Sequence, residues 1–189
     1  MHYVGLTNQG GPAFVNQDGI EVAKKRLGAA ITSFEYLYRY ATINNSIFIF
    51  LGVSRPGSKT VSEIFFDELK AVLELSSFRC PIIVCGDFNI HVDIGVDPHA
   101  VRLAHVLKSF DCIQHVDKTT QNAGQVLVLV ITRSETQVSK IEVGDMISIH
   151  TLIWFRTDVK KPSFEYLWTT NRQWKKLSIS SFVGRSQGF

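Results

Sequence analysis

Apolar positions along the chain follow two different periods, and the switches between them mark its elements. The early segments are short and strand-like: residues 12–15 and 20–23, then the aromatic-rich 34–40 and the all-apolar 47–51. Asn44-Asn45 between the last two is a hairpin-turn signal, and Arg55-Pro56-Gly57-Ser58 breaks the pattern. From Thr60 the period lengthens. Thr60-Val61-Ser62-Glu63 reads as a capping box, and Val61, Ile64, Phe65, Leu69, Val72 and Leu73 mark one helix face. Cys80-Pro81 ends that segment. Residues 82–85 are then apolar on both faces, which predicts a central strand covered on both sides. A second helix is expected with Asp97 as N-cap and Pro98 in its first turn, burying Val101, Ala104, Leu107 and Phe110. Four further strands are expected at 112–116, 126–132, 138–143 and 152–155.

Strands at both ends with helices between them predict an α/β or α+β sandwich in one domain. Past residue 156 the periodicity thins, and Lys160-Lys161-Pro162-Ser163 resembles a boundary. The division expected is a folded body over 1–156 and a basic tail or linker over 157–189, with a short helix near 172–177.

Composition narrows the class. Of the 189 residues 45% are hydrophobic and 20% charged, which excludes a disordered or collagen-like chain. No apolar run approaches the ~20 residues of a membrane helix, so no membrane partner is expected. Cys80, Cys85 and Cys112 are too few for a disulfide framework or a four-cysteine zinc site. A reducing compartment is the default. The net charge of +3 is unevenly placed: residues 151–189 hold seven basic and two acidic side chains, leaving the body at −2. Such a tail suits a polyanion, although an ordinary solvated segment has the same composition.

Candidate chemistry concentrates in Gly86-Asp87-Phe88-Asn89-Ile90-His91, directly after the expected central strand. Asp87 and Asn89 are two apart, so in extended chain they point to one side. A carboxylate beside an amide can orient a water and hold a phosphate oxygen. The plain alternative is a polar turn. His99, His105 and His115 match no metal-ligand spacing and are expected on surfaces or helix faces; Cys85 is expected as a small buried apolar residue.

The six-residue word resembles the signature of the endonuclease/exonuclease/phosphatase superfamily, and more closely the endonuclease domain of LINE-type (non-LTR) retrotransposons. Further words agree in order. Residues 10–15 are similar to the family's glycine-led strand, and Ser54-Arg55-Pro56-Gly57 stands where the family has Tyr-Arg-Pro. Phe65-Phe66-Asp67-Glu68-Leu69 lies in the helix before the signature. Residues 124–133 resemble its Gly-His-Thr-Leu-Asp-Leu-Val-Ile-Thr strand, and 144–150 its segment ending Ser-Asp-His. The resemblance implies a deoxyribonuclease I-like α/β fold, a four-layer α/β/β/α sandwich that is incomplete here. It implies magnesium-assisted phosphodiester hydrolysis on DNA. By matching words Asp87 would orient the attacking water, Asn89 would contact phosphate, and His150 would be the catalytic histidine. Thr120 and Ser148 would be substrate contacts, with Gln121 replacing a family histidine.

Several positions depart from that pattern. Val128 stands where the family has the aspartate that holds the histidine, and a valine accepts no hydrogen bond. Ile149 replaces the aspartate of Ser-Asp-His, and Ser54 replaces the tyrosine. The family's first-strand Asn and metal-binding Glu would precede Gly10 and have no counterpart, leaving the metal ligands unknown and magnesium binding doubtful. The expectation is an inactive, degenerate relative that self-associates through an exposed sheet edge. A nucleic-acid-binding module or a protein-interaction scaffold on the same fold are the alternatives.

Overall fold

Asn44 and Asn45 adopt left-handed backbone angles, with φ of 51° and 63°, as a tight two-residue hairpin requires. They join β4 (Glu35–Ile43) to β5 (Ser46–Ser54), paired antiparallel over their whole length. Both strands outrun the apolar runs that announced them. The computed structural model describes residues 3–6, 12–15, 20–24, 26–76, 80–147 and 150–157. The expected tail beyond Thr157 and its helix near 172–177 lie outside the described residues.

Around this hairpin a six-stranded sheet is built in the order β3-β4-β5-β6-β8-β7. Its other strands are β3 (Glu21–Lys24), β6 (Ile82–Asp87), β7 (Cys112–Gln114) and β8 (Val128–Arg133). β6 is interior, parallel to β5 and antiparallel to β8, as its apolar run predicted. Two ribbons complete the described strands. One pairs β1 (Tyr3–Leu6), which the sequence pattern did not reveal, with β2 (Pro12–Val15); the other pairs β9 (Val138–Ile147) with β10 (His150–Thr157).

The alternation of β5 shows how the layers form. Ile49, Leu51 and Val53 enter the main core with Phe65, Leu69 and Val72 of α1 (Glu63–Leu75) and Leu103 of α2 (Pro98–Ser109). Phe48 and Phe50 point to the other face, where Phe155 of β10 packs against them. Gly52 lies on that face too, and a side chain there would start 2.9 Å from Pro12 Cβ, so the β1–β2 ribbon can settle against the sheet. Helices therefore cover one face and strand ribbons the other.

The helix details differ from expectation. Ser62, not Thr60, is the N-cap of α1, and no side chain caps it. Glu63 instead bonds Arg102 of α2 at 2.9 Å, so no capping box forms. Ile64 is 58% exposed, because it lies roughly 140° around the helix from Leu69 at the centre of the buried stripe. α2 buries Ala100, Leu103, Val106 and Leu107 rather than the expected Val101 and Ala104. A strict three-residue step drifts around a helix of 3.6 residues per turn, whereas 100, 103 and 107 stay on one face. The Asp97 cap is as expected: its carboxylate accepts from the His99 and Ala100 amides at 2.7 and 3.2 Å.

Two side chains tie the helices to the sheet. Arg133, at the end of β8, donates to the Phe110 carbonyl at 2.6 Å and to the Leu73 carbonyl at 3.2 Å, satisfying helix C-terminal groups of both α2 and α1. Glu68 of α1 accepts the amides and hydroxyls of both Thr32 and Ser33, at 2.5–2.9 Å. Burial pushes its carboxyl upward, but these bonds outweigh that effect and leave it below its ordinary 4.5.

The sheet's edges are β3 and β7, four and three residues long, and β3 carries the exposed Glu21 and Lys24. Short, charged edges resist pairing, so these strands lend no support to edge-mediated self-association. No helix among the described residues is long and apolar enough to cross a membrane.

Removing the Asp97 cap by Asp97→Ala should cost about 1 kcal/mol in urea unfolding, whereas Thr60→Ala should be nearly neutral. Glu68→Gln should cost about 1–2 kcal/mol at pH 7. A carboxylate depressed in the fold stabilises fully above its unfolded value and loses that contribution as pH falls through the folded one. The gap in Tm between Glu68→Gln and the natural chain should therefore close as pH drops below 4.5.

Candidate functional site

Three neighbouring strands end at one rim of the sheet, and their pairing sets the site. Ser54 of β5 is in register with Asp87 of β6, and Asp87 with Val128 of β8. Residues in register on paired strands face the same side, so the three positions form a row on the ribbon-covered face. Val128 therefore stands directly beside Asp87.

Gly86 makes the turn into the site. Its φ is +139°, and an added Cβ would lie 2.0 Å from the Val53 carbonyl oxygen, so no other residue fits. Beyond it the chain folds back on itself. Asn89 adopts φ of 48°, a left-handed angle that asparagine tolerates better than most residues. In that pose its amide nitrogens serve Asp87: the backbone N–H donates to Oδ1 at 3.1 Å and Nδ2 to Oδ2 at 2.8 Å. Nδ2 also donates to the Arg55 carbonyl at 2.7 Å. Asp87 is buried at 7% exposure.

Arg55 was visible in the sequence only as part of its four-residue word, and the structure gives it a central part. It is 4% exposed. Its guanidinium donates to the carbonyls of Phe88 at 2.7 Å, Lys59 at 2.6 Å and Pro56 at 3.3 Å, and to that of Asn89. Burial lowers its pKa below the ordinary arginine value, and the negative charge of Asp87 opposes that effect. Gly57 closes the loop: an added Cβ would sit 2.8 Å from Asn89 Oδ1. The legible signal was a lone arginine between a strand end and Pro-Gly, too common a pattern to single out.

Thr120, expected to contact substrate, is completely buried. Its hydroxyl accepts from the Leu127 and Val128 amides at 2.9 and 3.0 Å, and its carbonyl accepts from the Thr151 amide at 3.0 Å. It braces β8 against β10. Thr151, the residue after His150, is held to Thr120 by the last of these bonds. Ser148 and Ile149 lie outside the described residues. Gln121 Oε1 and His91 Nδ1 are buried with no hydrogen-bond partner among the described residues. Cys85 behaves as an apolar side chain, its thiol pushed up to about 12 by burial.

The described residues do not by themselves supply a site for the magnesium that the resemblance implies. Among the described residues no three His, Cys, Asp or Glu side chains gather into a metal-binding group. Each oxygen of Asp87 accepts one hydrogen bond from Asn89. A hard divalent cation needs several oxygen ligands free to turn toward it.

No family model matches the chain, and no curated protein matches it. Among solved structures it is similar to the endonuclease domain of TRAS1, a telomere-specific non-LTR retrotransposon, at TM-score 0.66 and 15% identity, over 85% of this chain and 79% of that one. An endonuclease/exonuclease/phosphatase family protein from Leptotrichia buccalis C-1013-b aligns at TM-score 0.47 and 13% identity, over 74% and 70% of the two chains. The fold is thus the α/β architecture of the deoxyribonuclease I-like endonucleases.

Gly86→Ala should destabilise the protein by roughly 2–4 kcal/mol, combining backbone strain with the collision at Val53. Chemical denaturation would measure it, with the open position Gly28→Ala, which meets no neighbour within 4 Å, as the near-neutral control.

Proposed function

We propose that this chain descends from the non-LTR retrotransposon endonucleases and has lost their hydrolytic step. The observation that carries the reading is the pairing of Val128 with Asp87 at the rim where the catalytic row would stand. The ordered sequence words and the fold shared with the TRAS1 endonuclease domain support the descent. The row supports the loss.

Phosphodiester hydrolysis needs an oriented water, a group that offsets charge on the phosphate, and a histidine held in one tautomer. Asp87 is the group suited to orient water, yet its oxygens are engaged by Asn89. Val128 offers no oxygen to hold His150. Ile149 removes a second carboxylate from the adjoining word. A single missing charge-stabilising group commonly costs ~10²–10³ in rate, and groups acting together fail together.

A role in binding DNA without cutting it has one feature in its favour, the seven basic against two acidic side chains of residues 151–189. Such binding would weaken steeply as salt rises.

Supercoiled plasmid incubated with the protein and magnesium or manganese should show no nicking above background. Val128→Asp, alone or with Ile149→Asp, should restore little. Nicking by the natural chain that Asp87→Ala abolishes would overturn the reading.

A further inference from the structure

A cleft of about 390 Å³ opens between α2, the end of β7 and the loop that follows the Gly86–His91 word. Its floor is apolar and buried, formed by Leu103 and Leu107 of α2 together with Val116 and Val126. The lining residues Asp93, Ala104 and Asp117 are exposed and mark its mouth. No lysine or arginine is among the described residues that line it. The walls are fixed by bonds within the protein. Asp93 Oδ1 accepts from the Val126 amide at 3.1 Å, tying the loop to the segment that leads into β8. The Gln114 side chain is engaged by the backbone of Val116, donating to its carbonyl at 2.7 Å and accepting from its amide. Gln114 therefore shapes a wall. Asp117 makes no hydrogen bond or ion pair among the described residues, and Asp93 makes no ion pair there.

We propose that this cleft binds a small organic cation with an apolar body, an arylalkylamine in chemical class, its ring on the floor and its ammonium at the mouth with Asp93 and Asp117. Two terms select that guest. Covering the apolar floor is favourable in proportion to the area removed from water. Two carboxylates at the mouth attract a positive group and repel a negative one. Size agrees: ligand sites run from ~300 to ~1,000 Å³, and ~150 Å³ already holds benzene, so a fused ring fits here. Because the walls are held before any guest arrives, little ordering cost opposes binding. The site is separate from any phosphodiester chemistry, since the same carboxylates repel a phosphate. It holds whether or not the Asp87 row hydrolyses anything.

The test titrates the full chain with three probes that share an indole ring, followed by NMR chemical shifts: cationic tryptamine, neutral tryptophol and anionic indoleacetate. Tryptamine should bind with a Kd of ~1 mM or tighter, its shifts centred on Leu103, Ala104, Leu107 and Val116. Tryptophol should bind roughly three- to tenfold more weakly, and indoleacetate should not saturate at about 10 mM. Asp93→Asn keeps an acceptor for the Val126 amide while removing the charge. Combined with Asp117→Asn, it should bring tryptamine down to the affinity of tryptophol and leave tryptophol unchanged. Ala104→Phe, at an exposed helix position, should fill the mouth and abolish binding of every probe, whereas Ile64→Ala on α1 should change nothing. If Ala104→Phe does not fold, the probe series and the double asparagine variant decide. Equal binding of tryptamine and indoleacetate, full tryptamine affinity in the double variant, or no saturable tryptamine binding at these residues would each overturn the proposal.

Discussion

A guanidinium buried where β5 ends is the constraint around which the rest of this rim is arranged. Arg55 has to find acceptors for its hydrogens, since a buried donor left unmatched costs more than the net value of an ordinary hydrogen bond. Four carbonyls, from Pro56, Lys59, Phe88 and Asn89, supply them. Meeting that requirement draws residues 55–59 against residues 88–89, where Asn89 adopts a left-handed backbone.

The sheet makes that arrangement possible. Because β5 and β6 are parallel, their carboxyl ends emerge side by side, and Gly86 lets β6 pass within contact of the Val53 carbonyl just before the turn. β8 runs the other way and contributes its amino end, so Val128 enters the row at the same level. Thr120 then links β8 to β10 through one hydroxyl and one carbonyl. Rim, row and ribbon are thus parts of one hydrogen-bonded frame.

Away from the rim, helix attachment depends on a few polar side chains as well as on apolar packing. Arg133 reaches C-terminal carbonyls of both helices from the end of β8, and Glu68 gathers four donors from the 32–33 turn. Between them lie Phe65, Phe66, Phe34 and Phe88, whose rings meet edge to face across the main core. Asp97 completes the set by capping α2.

Much of this was legible in the chain itself, where the physics is local. The Asn44-Asn45 turn, the Asp97-Pro98 helix start and the apolar run of β6 each follow from preferences acting within a few residues, and each is found where those preferences put it. The Gly86–His91 word marked the rim for the same reason, since a glycine and an asparagine in strained backbone leave a sequence trace. What the sequence could not decide depends on partners distant along the chain. The inward faces of α1 and α2 were set by what they pack against, which exposed Ile64 and Val101 and buried Phe66 and Leu103. The bonds by which Thr120 links β8 to β10 join residues 7, 8 and 31 positions away, which no local pattern shows. Arg55 resembled any loop arginine, because the acceptors at Phe88 and Asn89 lie 33 and 34 residues away. Local chemistry determined the elements and the word that marks the rim, whereas only tertiary packing decided which groups meet there.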